Sequence, residues 1–365
     1  GVAVGDVDGD GHLDLFVTDF GPDVLYRNRG DDTFESVPDA PGIDGWSAGA
    51  VLFDADADGD EDLYVAGYIE CTLEEVLAAE PRLEWQGFDV MLGPFGLEGE
   101  GNRYFENLGE LRFRDATAEA GLADPGLYYS FAVAAVDLDG DRHLDLYVAN
   151  DSNPNYLYQS QGDGTFQEVG LWSGASLDEG GMAQAGMGLA VGDLDDDRLA
   201  ELLVTNFYMD TTTLYANRGD LVFEDVTRPW GLYEPTFLPL SWGASFDDLD
   251  LDGDQDLFIA NGHIYPQADE APPDARTSYA QTNLLLAREE GRFVDVSSSS
   301  GPGLAVRASS RGLSVGDLDG DGDLDLVVSN CDEPPHVLRN QSSRQGRWLI
   351  VDAQAAVRVE LALGE

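Results

Sequence analysis

The sequence predicts an all-β fold, a β-propeller of six four-stranded blades, and three observations lead there. One phrase recurs six times, its spacing is that of a blade, and a second signature after each copy brings the count to four short strands per unit. The phrase is an apolar run, a carboxylate-rich loop and a second apolar run. The copies are VAVGDVDGDGHLDLFV from Val2, AVLFDADADGDEDLYV from Ala50, AVAAVDLDGDRHLDLYV from Ala132, LAVGDLDDDRLAELLV from Leu189, ASFDDLDLDGDQDLFI from Ala244 and LSVGDLDGDGDLDLVV from Leu313. The first loop carboxylates are Asp6, Asp54, Asp137, Asp193, Asp248 and Asp317, so the steps are 48, 83, 56, 55 and 69 residues.

The second signature is an apolar stretch such as VLYRN (Val24–Asn28) or TLYAN (Thr213–Asn217), followed by a Gly-rich turn and a short strand such as TFQEV (Thr165–Val169). The aromatic of that last strand is Phe34, Phe113, Phe166, Phe223, Phe293 or Trp348. Strands of about five residues joined by Gly, Asn and Asp turns cannot bury both faces alone, so neighbouring units must stack radially.

The loop reads D-x-D-x-D-G-x-x-D. Carboxylates at alternate positions of a tight turn converge, and oxygen-only ligands favour a hard cation, calcium before magnesium. The metal candidates are Asp6, Asp8, Asp10 and Asp14; Asp54, Asp56, Asp58 and Asp62; Asp137, Asp139, Asp141 and Asp145; Asp193, Asp195, Asp197 and Glu201; Asp248, Asp250, Asp252 and Asp256; and Asp317, Asp319, Asp321 and Asp325. An EF-hand would need Glu at the twelfth position, where the first copy has Val17. Copies three and four put Arg142 and Arg198 where the others have Gly, and the fourth ends in Glu201, so these two are expected to be the weaker sites.

The bulk composition agrees with a cation-binding protein. Acids number 71 against 19 basic residues, all of them arginine, for a formal charge of −52. Such a field repels nucleic acid and anionic headgroups. A 43% hydrophobic content still supplies a core. No apolar run is long enough to insert in a membrane. Cys71 and Cys331 are too few and too far apart for a disulfide scaffold, and either pair or stay free.

Topology divides the remaining residues between two faces. Connections from first to second and from third to fourth strand share the loop face. The links between blades share the other face with the second-to-third connections, and with two insertions there, at roughly 66–101 and 261–281. The first insertion contains CTLEEVLAAEPRLEW (Cys71–Trp85), a helix-forming run before Pro81. Trp46, Trp85, Tyr129, Trp172, Trp230, Trp242 and His263 fall in these upper segments and are the candidate ligand-binding residues. Rigid aromatics beside acids suit a sugar ring or a protein surface, and the competing reading is packing between blades. A recurring amide or carboxylate at the end of the second strand, Asp19, Asn150, Asn206, Asn261 or Asn330, fits an Asx turn. No nucleophile elbow, phosphate-binding Gly loop or HExxH segment occurs. A carbohydrate-active hydrolase or lyase using carboxylates of that face is the alternative to a binding module.

The phrase VGDLDGDGDLDLVV resembles the FG-GAP repeats of the integrin α-subunit propeller. Together with NRYFENLGELRFRDAT (Asn102–Thr117) and MLGPFGL (Met91–Leu97), it is similar to the secreted cartilage-acidic-protein-like group. The resemblance implies an extracellular, non-enzymatic calcium-binding module for adhesion or ligand recognition. Integrin propellers have seven blades, the alternative to the six counted here. The propeller is expected over residues 1–346, with 347–365 as the last outer strand and the remnant of a C-terminal β extension.

Overall fold

The computed structural model describes residues 1–78, 83–90, 93–124 and 126–342. The strand expected around Trp348 and the extension to Glu365 lie outside the described residues.

Six antiparallel sheets follow one another along the chain as the blades of a β-propeller. Blade 1 comprises Val2–Gly5, Asp14–Val17, Val24–Asn28 and Phe34–Ser36, hydrogen-bonded in that order. Blade 2 uses Asp44–Phe53, Asp62–Glu70, Arg103–Asn107 and Phe113–Asp115, and blade 3 uses Tyr129–Val136, Asp145–Asp151, Tyr156–Ser160 and Phe166–Glu168. Blade 4 has Gly188–Gly192, Glu201–Thr205, Thr213–Asn217 and Phe223–Asp225; blade 5 has Ser241–Asp247, Asp256–Asn261, Leu284–Glu289 and Arg292–Asp295. Blade 6 shows Ser310–Gly316, Asp325–Asn330 and His336–Leu338 among the described residues.

The carboxylate loop sets the register of every first hairpin. The residue before the first loop Asp always pairs with the ninth-position acid: Gly5 with Asp14, Phe53 with Asp62, Val136 with Asp145, Gly192 with Glu201, Asp247 with Asp256 and Gly316 with Asp325. A constant loop length therefore keeps the same side chains on the same blade face throughout. Second strands such as Glu201–Thr205 and Asp256–Asn261 are buried along their whole length, because a neighbouring blade covers each face. That is why ELLVT and DLFIAN read as continuous apolar runs rather than alternating ones.

Five apolar cores join consecutive blades. The outer-strand aromatic of blades 2 to 5 inserts backwards, as Phe166 does 6.3 Å from Phe53 of blade 2. The second residue of each carboxylate loop inserts forwards, and Val7, Leu138 and Leu249 are buried there. Leu318, the same residue in blade 6, is 57% exposed, and Phe34 of blade 1 is 45% exposed. Among the described residues, blades 1 and 6 thus have an apolar neighbour on one side only.

A polar latch crosses three of the interfaces. Asn107, Asn217 and Asn340, each ending a third strand or following it, donate from Nδ2 to the carbonyls of Val7, Leu138 and Leu249 in the preceding blade, at 3.0, 2.8 and 2.6 Å. The amides that end the second strands do more than close Asx turns. Asn261 accepts from Ser241 Oγ of the first strand while donating to the Thr282 carbonyl, and Asn330 bridges Ser310 and Pro334 in the same way. In blade 2, where Gly67 holds this place, Asn102 substitutes by accepting from the Gly67 N–H. Asn150 belongs to this set and is fully buried.

The second strand of blade 2 runs on to Glu70, past the expected start of the first insertion, because Ile69 still pairs with Trp46 and Gly99. The insertion contains the expected helix, Leu73–Ala78, and a hairpin of Leu83–Trp85 with Phe88–Val90. The second insertion forms two short 3-10 turns, Pro266–Glu270 and Pro273–Ala275. Cys71 and Cys331 are both free.

Candidate metal loops and the opposite face

Each loop folds because its own carboxylates cap its backbone. In the first copy, Asp6 accepts the N–H groups of Asp10 and Gly11 through its two oxygens, Asp8 accepts from Asp10, and Asp10 accepts from His12. Loops 2 and 5 repeat this pattern residue for residue. The result draws one oxygen from each carboxylate of Asp6, Asp8 and Asp10 to within 4.8 Å of the others, and the same holds for Asp54, Asp56 and Asp58, for Asp193, Asp195 and Asp197, and for Asp248, Asp250 and Asp252. In loop 3 the converging trio is Asp137, Asp139 and Asp145. These clusters can hold a metal ion. Hard oxygen donors without nitrogen or sulfur fit a hard divalent cation, and the like charge crowded within each loop makes one favourable.

The ninth-position acid sits deeper than the spacing suggested. Asp14, Asp62, Asp145, Glu201, Asp256 and Asp325 are all buried, and each clamps two backbone N–H groups. Asp145, for example, accepts from Leu138 at 3.1 Å and Ser160 at 2.8 Å, and Asp256 from Leu249 at 3.2 Å and Arg288 at 3.1 Å. It ties the loop to the third strand, and Glu201 does so as well despite its extra methylene, through Leu194 and Asn217. Burial raises the carboxyl pKa of Asp62 and Asp256 to about 6, and of Asp145 and Glu201 to about 7. Asp56 is also raised, by burial and then by Asp58, with Glu106 of the neighbouring strand contributing.

Two loop positions take up left-handed backbone. The sixth does so as expected, with Gly11 at φ 88°, and Arg142 and Arg198 are held there at 77° and 74°. The fourth position also has positive φ in every copy, and there Ala57, Asp196 and Leu251 stand beside Gly9, Gly140 and Gly320. The only signal for it in the sequence is that three of the six copies have Gly. A side chain in this region costs about 1 kcal/mol relative to glycine. Arg142→Gly and Arg198→Gly are each expected to raise the unfolding free energy by about 1 kcal/mol, read as a higher urea midpoint at unchanged slope; a lower midpoint in either variant contradicts the argument.

On the opposite face the candidate aromatics separate into three groups. Trp46, Tyr68, Phe131 and Trp242 form a chain of ring contacts 5.0–5.6 Å apart, closed by the Arg311 guanidinium 4.1 Å over Trp242. Tyr68 donates to Asp151 at 2.8 Å, and Tyr129 donates to the Leu97 carbonyl. Trp85 reaches from the blade 2 insertion to blades 4 and 5, where it packs against Tyr208, His263 and Tyr265. His263 is completely buried, and burial followed by the charge of Arg311 lowers its pKa to about 4, so it is a neutral packing group and not an exposed contact. Trp230 lies in the core between blades 4 and 5, 4.5 Å from the Arg288 guanidinium, because its link folds under the outer strand. Trp172 stands 91% exposed at the rim.

Acids on this face gather around a cavity of about 220 Å³ lined by Asp178, Glu179, Asp210, Asp225, Arg228 and Tyr233 among others. Burial raises the Asp210 carboxyl, which accepts from Gln184 Nε2 at 2.6 Å. The cavity is below the range of about 300–1,000 Å³ usual for ligand sites.

With this geometry, the chain matches the model of an FG-GAP-like repeat over residues 6–65 and 137–204 and that of an FG-GAP repeat over residues 311–335. Cartilage acidic protein 1 of Homo sapiens is 26% identical over 253 residues, covering 67% of this chain and 34% of that protein. The Mus musculus protein of the same name is 26% identical over 249 residues, covering 67% and 35%. The chain therefore spans about a third of the length of these relatives. An Agrocybe aegerita lectin solved for recognition of non-reducing terminal N-acetylglucosamine is similar with a TM-score of 0.46 at 17% identity, over 93% of this chain and 80% of that one.

Proposed function

The chain is an FG-GAP repeat protein related to cartilage acidic protein 1, and from that we propose that it is an extracellular calcium-binding module that recognises a protein or glycan through the face opposite its carboxylate loops. The observation that carries the reading is the convergence of carboxylate oxygens in loop after loop on one side of the propeller. The residues that would hold the ions are the first, third and fifth carboxylates of loops 1, 2, 4 and 5 and the first, third and ninth of loop 3, and the buried ninth acid braces each loop from below. A bound ion supplies charge compensation and cross-links the loop, and no chemistry is asked of it. Exposed loops of this type bind calcium at about 10⁻⁴–10⁻³ M in extracellular modules, so they fill where calcium is millimolar. That supports a location outside the cell. Among the described residues no helix is long and apolar enough to cross a membrane.

Recognition is favoured over catalysis by the character of the upper face. Its one histidine is buried and neutral, its acid-lined cavity is small, and its aromatics form a rigid, partly exposed platform. Aromatic anchors fixed in a framework lose little entropy on binding.

Calorimetric titration of chelator-stripped protein with calcium tests the reading. Several ions per chain are expected, and a flat titration would falsify the metal assignment.

A further inference from the structure

Loops of one motif differ in what stands beside them. At the third-strand position that approaches the loop, just before Asn28 and Asn340, blades 1 and 6 carry Arg27 and Arg339. The matching residues in blades 2 to 5 are Glu106, Gln159, Ala216 and Ala287. Arg27 brings Nε to 2.5 Å from Asp8 Oδ2 and Nη2 to 3.0 Å from Asp10 Oδ2. Arg339 pairs with Asp319 and lies 3.6 Å from Asp321 Oδ2. In both blades the guanidinium engages the third and fifth carboxylates, two of the three groups that would grip a cation. Gln159 makes a neutral version of the contact, donating to Asp139 at 2.9 Å. Among the described residues no ion pair joins an arginine to the carboxylates of loops 2 to 5.

Resting on the calcium reading above, we propose that Arg27 and Arg339 are built-in counter-cations that make loops 1 and 6 weak, exchangeable sites, while loops 2 and 5 are the tight ones. Loops 2 and 5 keep Gly at the sixth position and pair with no arginine among the described residues, and near loop 2 stands Glu106, itself paired with Arg114. A fixed positive charge about 5 Å from a divalent ion opposes binding by about tenfold even at the dielectric of water. The guanidinium also holds carboxylate oxygens that the ion must reclaim.

The test is the calcium titration of stripped protein repeated on the Arg27→Gln/Arg339→Gln double variant and on Glu106→Gln. Wild type is expected to show tight and weak classes. In the double variant about two equivalents should tighten by about tenfold, while its melting temperature in chelator falls below that of wild type. Glu106→Gln should move the other way and weaken one tight equivalent. Both arginine side chains are partly exposed, at 38% and 59%, so the substitutions open no core. Isotherms of wild type and double variant that superimpose, with calcium still bound by both, overturn this proposal and leave the calcium reading standing. No binding by wild type overturns both.

Discussion

Stripping divalent cations is expected to lower the melting temperature by about 10 °C, and to reverse the direction in which stability depends on pH. A site filled at about ten times its dissociation constant contributes about 1.4 kcal/mol, and several such sites together move a domain of this size by that amount. The pH effect follows from the ninth-position acids. Asp62 and Asp256, raised to about 6, and Asp145 and Glu201, raised to about 7, hold protons more tightly in the folded chain than in the unfolded one. Unfolded carboxyls titrate near 4. Between about pH 4 and 7 the native metal-free protein therefore binds the extra protons, so its stability is greatest at the acid end and falls as pH rises through the native values. All four groups shift in the same direction, so their contributions to the slope add. Calcium requires ionised carboxylates, so with the metal present stability should rise over the same interval. Thermal melts from pH 5 to 8, with chelator and with millimolar calcium, read this directly. Parallel profiles in the two conditions would sink the account of why the acids are buried.

The second large effect is expected from Asp145→Ala. Removing this side chain leaves the Leu138 and Ser160 N–H groups buried without a partner. At about 1–3 kcal/mol for each buried donor, the loss is about 2–6 kcal/mol. Asp141, in the same loop but exposed, accepts only from His143, and Asp141→Ala should cost under about 1 kcal/mol in chelator. In calcium the gap should widen, because Asp145 and not Asp141 converges with Asp137 and Asp139 on the place of the metal. Urea unfolding at pH 6, where burial keeps Asp145 mostly protonated, separates the two variants. Equal losses in chelator would show that the ninth acid is an ordinary loop residue.

The architecture was legible in the sequence because each unit carries its own instructions. The loop length fixes the first hairpin, the following turn residues fix the next two, and the outer aromatic from Phe34 to Phe293 marks the fourth strand at its observed place. The convergence of carboxylates within single loops was legible for the same reason, since closeness within nine consecutive residues is a local property. A preference for a hard cation is likewise a matter of donor type, which residue identity alone supplies.

What the tertiary structure decided are relations between units. The ninth acid was assigned to the metal on spacing, and its depth depends on how it accepts from the loop through one oxygen and from the third strand through the other, as Asp14 does from Val7 and Asn28. The face that carries Trp230 and His263 could be named from topology, whereas their burial depends on what the next blade and the Trp85 hairpin bring against them. Asn217 looked like any strand-ending asparagine until blade 3 placed the Leu138 carbonyl 2.8 Å away. Arg27 and Arg339 lie a strand beyond the loops they touch, in the same blade. Periodicity and spacing report contacts made within about ten residues of chain, while burial, charge pairing and donor satisfaction are set by atoms from other strands and blades, whose distance no local pattern encodes.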